Sequence, residues 1–284
     1  MTFRPSFNCL WCGRPHQTRS EQDIEGYAVL CSECVGRAQD NDFLRYRLRQ
    51  GLHARAQASR PPDVDAAYRA YYAAAVDGYD DWYLGRGEYS RSAIDSVAFA
   101  AELDAATLWL DHLPLAGEIV ELAAGTGWWS PLLAQKGELW LYDAVPEMLE
   151  PARERLLAHS LAAHIHVRDA WQRADRQVDA LFTGFWLPHV PSGRLIEFFD
   201  IVSGWLKPGA TYAFIEEPTG DRHGSAGTTE LVRLEAGGRQ FALPEAHHPP
   251  AALDNALREA GFTKVDIVTT GRFFVLGQAQ ASSE

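Results

Sequence analysis

The stretch Glu121-Leu122-Ala123-Ala124-Gly125-Thr126-Gly127, with Asp143 22 residues beyond Glu121, decides the fold of this chain. Residues 118–123 make a short apolar run of strand length, and the loop behind it opens a helix. Glycines there let a backbone turn sharply and approach a ligand closely. A second apolar run, 139–143, ends in Asp143. A carboxylate at that strand end can accept both hydroxyls of a ribose. The full dinucleotide pattern fails, because Ser130 stands where the third glycine would be. No Lys-Ser/Thr follows the loop, so a triphosphate-binding loop fails as well. A nucleoside without a pyrophosphate fits.

Working outward, the pattern predicts helices over 64–76, 92–112, 146–159, 195–206 and 251–260. Further strands are expected over 165–167, 178–185 and 211–216, with a final pair over 265–269 and 273–278. This alternation predicts an α/β domain with a mostly parallel sheet covered on both faces, its ligand site beyond the carboxyl ends of the strands. Residues 78–87 read as irregular and aromatic, and 218–250 as a glycine-containing loop and hairpin.

The four cysteines all fall near the front, as Cys9, Cys12, Cys31 and Cys34. Two CxxC knuckles can point four thiolates at one point, which suits a structural zinc with no open coordination position. Two disulfides are the alternative. A redox CxxC fits less well, since no βαβ pattern surrounds either pair. The break at Ser59-Arg60-Pro61-Pro62-Asp63 divides the chain into a zinc-ribbon-like module over 1–36, a helical linker over 37–62 and the larger domain over 63–284.

Apolar residues make up 46% and charged ones 23%, so disorder is not expected. No apolar run reaches the length of a membrane span or signal peptide, which predicts a cytoplasmic protein. Net charge is -12. Residues 1–62 carry nine arginines against six acids, and the remainder 17 basic against 32 acidic residues. An acidic main domain argues against non-specific nucleic-acid binding.

The motifs together resemble class I S-adenosylmethionine (SAM)-dependent methyltransferases, which have a Rossmann-like fold with a mostly parallel seven-stranded sheet. ELAAGTG resembles the family's first motif, and the acidic strand end its second. Asp143-Ala144-Val145-Pro146-Glu147-Met148-Leu149, Val167-Arg168-Asp169-Ala170-Trp171, the segment from Asp179 to Val190, and Leu206-Lys207-Pro208-Gly209-Ala210 agree in order and spacing. The likeness spans roughly 64–278. Ala123 and Ala210 stand where the family has glycine.

The resemblance implies roles. Glu121 would lie near the methionine end of the donor. Ala123, Gly125 and Gly127 would shape the loop beneath it. Asp143 would bind the ribose, and Ala144 and Met148 would flank the adenine. Asp169 would accept from the adenine amino group, with Ala170 and Trp171 beside the ring. Phe185 and Trp186 would lie near the sulfonium. Tyr79 and Trp82 are candidate lid residues, while Tyr68 and Tyr72 read as helix packing. His189 is the candidate base, with Glu216 and Glu217 as others; His247 and His248 read as surface.

A small-molecule acceptor, methylated at oxygen or nitrogen, is the leading expectation. A ribosomal RNA base is an alternative, because a zinc module ahead of this fold also resembles bacterial rRNA guanine methyltransferases. A third is a non-catalytic cofactor-binding protein whose zinc module docks a partner.

Overall fold

The structure, a computed structural model, describes residues 6–9, 14–17, 33–34, 64–218 and 229–283, and falls into two units, Met1–Pro61 and Pro62–Glu284. In the first unit β1 (Ser6–Asn8) pairs antiparallel with β2 (Pro15–Gln17). The Cys9 amide donates to the Arg14 carbonyl at 2.8 Å. Cys9 and Cys34 are both buried. Cys12, Cys31 and the linker helix expected over 37–62 lie outside the described residues.

The second unit begins with α1 (Val64–Ala75), the single turn α2 (Asp81–Leu84) and α3 (Ala93–His112). Ser92 caps α3 by accepting the Asp95 amide at 3.1 Å. Then follow β3 (Gly117–Leu122), α4 (Ser130–Lys136), β4 (Gly137–Asp143), α5 (Pro146–Ala158) and β5 (His164–Val167). The chain continues as β6 (Val178–Gly184), α6 (Leu195–Trp205) and β7 (Leu206–Glu216). A hairpin of β8 (Thr229–Ala236) and β9 (Arg239–Ala246) precedes α7 (Pro250–Glu259), β10 (Thr263–Thr269) and β11 (Val275–Gln280).

Seven strands form one sheet in the order β10-β11-β7-β6-β3-β4-β5. The five from β7 to β5 run parallel, and β11 pairs antiparallel with both its neighbours. Connections leave β3 toward β4 and later return to β6 on its other side, which opens a crevice at their carboxyl ends. Alternation along β3 sends Val120 and Leu122 to the face packed by Phe198 and Trp205 of α6 and Leu257 of α7. Ile119 joins the other face, with Leu110 of α3, Leu133 of α4 and Leu156 of α5. Glu121 shares the phase of Ile119 and is thus carried into a buried site. Among the described residues, no helix is long and apolar enough to cross a membrane.

The insert resolves into the hairpin β8–β9, turned by Gly237-Gly238, both in left-handed conformation as such two-residue turns require. The hairpin has a small core with α1: Tyr71 packs with Ala236 and Leu243, and its ring meets Phe241 at 5.5 Å. The Tyr68 hydroxyl donates to the Pro244 carbonyl. Residues 78–87, read as irregular, contain the turn α2.

The loop after β3 is built on three left-handed residues, Ala123 (φ 53°), Gly125 (φ 56°) and Gly127 (φ 71°). At Gly127 a Cβ would fall 2.7 Å from the Ala152 methyl, so helix α5 approaches too closely for any side chain. Ala123 accepts the same backbone with a methyl group, at a cost of roughly 1–2 kcal/mol. Ala123→Gly is therefore expected to stabilise the protein by at most about 1 kcal/mol, once the freer unfolded chain is counted. Thermal melts should show a rise of up to ~4 °C; a clear drop would mean the methyl group contributes packing that outweighs its strain.

Candidate active site

Asp143 stands at the carboxyl end of β4, 8% exposed. Its Oδ2 accepts the Gly125 amide at 2.8 Å and its Oδ1 the Val145 amide at 2.8 Å. One carboxylate thus ties the loop after β3 to the turn after β4. Burial pushes its pKa up to about 6, partly offset by these amides. Glu121, on β3, receives the Ser130 hydroxyl at 2.5 Å; burial pushes it up to about 8. Ala144 is half-buried at the mouth of α5 and Met148 is buried in its first turn. Asp169 accepts the Trp171 amide at 2.9 Å, and its Oδ2 lies 3.8 Å from the Arg69 guanidinium on α1. Ala170 is buried. The Trp171 indole packs on Phe198, ring centres 5.6 Å apart, with the Arg194 guanidinium 3.9 Å above it.

The segment around α2 covers the loop. Gly125 faces the Tyr79 ring, which a Cβ there would meet at 3.5 Å. The Thr126 hydroxyl donates to Asp80 at 2.6 Å, and Arg155 of α5 pairs with the other oxygen of Asp80 while donating to the Thr126 carbonyl. Tyr83 stacks on Trp128 at 4.1 Å, nearly parallel. Trp82 meets Tyr83, Phe99, Phe185 and Phe274 edge-on. Phe185, immediately after β6, is left-handed (φ 54°), a strained backbone of the kind found at functional sites. Its amide donates to the Ile215 carbonyl at 2.8 Å.

His189 lies in a one-turn helix over 187–189. Its Nε2 is 2.7 Å from the Tyr72 hydroxyl, and its buried Nδ1 has no hydrogen-bond partner. Burial pushes its pKa down to about 4, so the ring is neutral at pH 7. Trp186 sits 5.6 Å from it, ring to ring. Glu216, at the end of β7, accepts the Trp186 and Leu187 amides through Oε1 and so fixes the turn that carries His189. Its Oε2 is buried without a partner, and burial raises its pKa well above the carboxylate range.

Glu121, the loop, Asp143 and Asp169 thus gather at the carboxyl ends of β3, β4 and β5, with Tyr79 above the loop. Tyr72, read as helix packing, instead reaches His189. His248, read as surface, is 6% exposed and bonded to the Val190 carbonyl at 2.8 Å. Its burial follows from the hairpin return past the 187–190 turn, which local polarity does not encode. Sequence reasoning also missed the Asp80–Thr126–Arg155 tie, which had no motif to mark it. Among the described residues, no group of three or more His, Cys, Asp or Glu could hold a metal.

Two connected hollows adjoin this site. One, of about 540 Å³, is lined by Tyr72, Tyr79, Phe185 and His189 among others; the second, of about 600 Å³, shares Trp82, Glu88, Tyr89, Pro188, Glu217 and Glu245 with it.

Residues 119–209 match a family model described as a methyltransferase domain. No curated protein sequence matches the chain. Among solved structures, a complex described as DhpI-SAM-HEP is 25% identical with a TM-score of 0.62, covering 78% of this chain and 99% of its own. The CcbJ methyltransferase from Streptomyces caelestis is 18% identical, with a TM-score of 0.55 and coverage of 75% and 98%. Magnesium protoporphyrin IX methyltransferase from Synechocystis PCC 6803, with bound S-adenosylhomocysteine (SAH), is 16% identical, with a TM-score of 0.54 and coverage of 77% and 100%. Residues 119–209 are thus a methyltransferase domain, on the Rossmann-like fold that these solved methyltransferases share.

Proposed function

We propose that the chain methylates a small-molecule acceptor at oxygen or nitrogen, with the donor seated on the loop over 123–127. The observation that carries this reading is the Asp143 carboxylate, bonded to the Gly125 amide at the strand end where a ribose would be held. The surroundings fit a nucleoside, since Asp169 offers a further acceptor one strand away. Ala144, Met148 and Ala170 supply the small and apolar groups an adenine ring needs, and Glu121 would face the methionine end. Trp171, committed to Phe198 and Arg194, would bound the adenine site from behind.

The donor supplies an activated methyl group, so the protein mainly aligns it with a lone pair on the acceptor. The C–S bond breaks as the new bond forms, and the sulfur keeps the pair. Phe185, Tyr79 and Trp82 would exclude water from that line. Neutral His189 can accept a hydrogen bond or a proton from the acceptor, though burial makes it a weak base. Trp186 would form the wall behind it. The rRNA alternative is disfavoured by the carboxylates that rim the hollow, since a phosphate-rich partner needs a basic surface.

For residues 1–61 we propose a structural zinc held by Cys9, Cys12, Cys31 and Cys34, in a reducing, cytoplasmic setting. Cys9 and Cys34 come from different knuckles and are both buried, and Arg14 beside the first lies 3.6 Å from Glu33 beside the second.

Asp143→Ala should weaken SAH binding at least tenfold by calorimetry, about 1.4 kcal/mol. Wild-type affinity should also fall as pH drops below about 6, where Asp143 gains a proton. Unchanged affinity in the variant would remove Asp143 from the donor site. His189→Ala should lower kcat more than SAH affinity; equal losses would make its role structural. Metal analysis of carefully purified full-length protein should find one zinc per chain, and its absence would overturn the four-cysteine site.

A further inference from the structure

Given the donor site above, on which this step rests, we infer that the acceptor carries a positive charge and is held by it in the hollow beneath the hairpin. The 540 Å³ hollow is bounded by elements far apart in sequence, and five of them bring a carboxylate to it: Asp77, Glu88, Glu217, Glu235 and Glu245. Between these stand aromatic rings, Tyr71, Tyr72, Tyr79, Trp82 and Tyr89. Among the described residues, no lysine or arginine lines it.

That combination has a definite chemical preference. Ring faces attract cations, and more strongly when water is displaced. Asp77, Glu88, Glu217 and Glu235 stand exposed around the hollow and Glu245 is half-buried among the rings, so together they set up a negative potential at its mouth. A carboxylate- or phosphate-bearing acceptor would meet only repulsion there. Glu245 sharpens the case: it is half-buried on β9, and burial raises its pKa, so its charge lacks the solvation that an incoming cation would replace.

The neighbouring 600 Å³ hollow does carry two arginines, but each is engaged. Arg91 donates twice to the Trp82 carbonyl at 3.1 Å and lies 3.5 Å from the centre of the Phe99 ring. Arg272 is paired with Asp95. Arg91 also faces Glu217 from that side, while Glu88 and Glu245, which line both hollows, act on Tyr71.

The charge is a handle and need not be the atom that is methylated. The hollow also meets Phe185 and His189, which Tyr72 links to the other rings. Tyr79 overlies Gly125, and the buried Nδ1 of His189 has no partner within the protein. An acceptor gripped by its cation at the hairpin end would reach the donor with its other end, where Nδ1 can hydrogen-bond it.

The test compares choline, its uncharged carbon isostere and the anion pivalate as ligands of the full-length protein, with and without SAH, followed by tryptophan fluorescence. Choline should bind at least about tenfold tighter than the isostere, and pivalate weakest. Added salt should shrink the preference. In Glu88→Gln/Glu245→Gln the preference should fall below about threefold, with SAH affinity unchanged as the check on folding. Equal binding of choline and isostere, no binding of choline, or a preference that survives in the double variant would overturn the assignment. SAH binding is read separately in the same samples, so its loss would strike the donor site and not the charge of the acceptor.

Discussion

The carboxylate of Asp143 is the point on which the arrangement turns. Two backbone amides, from Gly125 and Val145, converge on it from neighbouring strand ends. Loops at the carboxyl edge of a parallel sheet have no ladder to satisfy their amides, so something else must. A short acidic side chain at the end of β4 does this for both loops at once. It fixes the spacing of the two turns to within a hydrogen bond, and that spacing is what a ribose would have to match. The parallel register of β3 and β4, with Leu122 opposite Tyr142, brings Asp143 level with the start of the loop.

From there the structure couples outward. Thr126, next to Gly125, is tied through Asp80 and Arg155 to the segment around α2. That segment carries Tyr79 and Trp82, which also wall the hollow, and α1 carries Tyr72 to His189. The loop over 123–127 and the hollow therefore share a wall. Glu216 completes the frame from the far side by holding the amides of Trp186 and Leu187. These contacts link short segments that lie far apart in the chain.

How much of this can be read from sequence depends on whether a feature is local. The strands around 118–122 and 139–143 carry their own periodicity, and the glycines of the loop announce its backbone. The strand-end position of Asp143 follows from both. The Tyr72–His189 contact joins residues 117 apart, and nothing in either neighbourhood marks it. Phe185 gave no sign of its left-handed backbone, because aromatic residues rarely take one. His248 looked polar and loop-borne, yet packing of the hairpin return buries it. Trp171 follows the adenine-site motif in sequence, but its ring turns to Phe198, since the Asp169 carboxylate binds its backbone and leaves the indole to the core. Cys9 and Cys34 are buried, while Cys12 and Cys31 fall outside the described residues.

The buried acids give the site a particular balance. Glu121, Asp143 and Glu216 all have pKa values raised by burial. Each stabilises the fold most when protonated, and that contribution is lost as pH rises: for Asp143 between about 4 and 6, for Glu121 between about 4.5 and 8. His189 runs the other way. Its pKa is lowered, so the neutral ring suits the fold above its ordinary value of 6.5, and stability is lost as pH falls toward 4. At neutral pH the protein therefore holds an ionised Asp143 and a neutral His189, and the first of these costs stability. Hydroxyl donors from a bound nucleoside would offset that cost, because they favour the charged carboxylate. Asp143, whose charge weakens the fold at neutral pH, is thus the group that the hydroxyls of a bound nucleoside would stabilise.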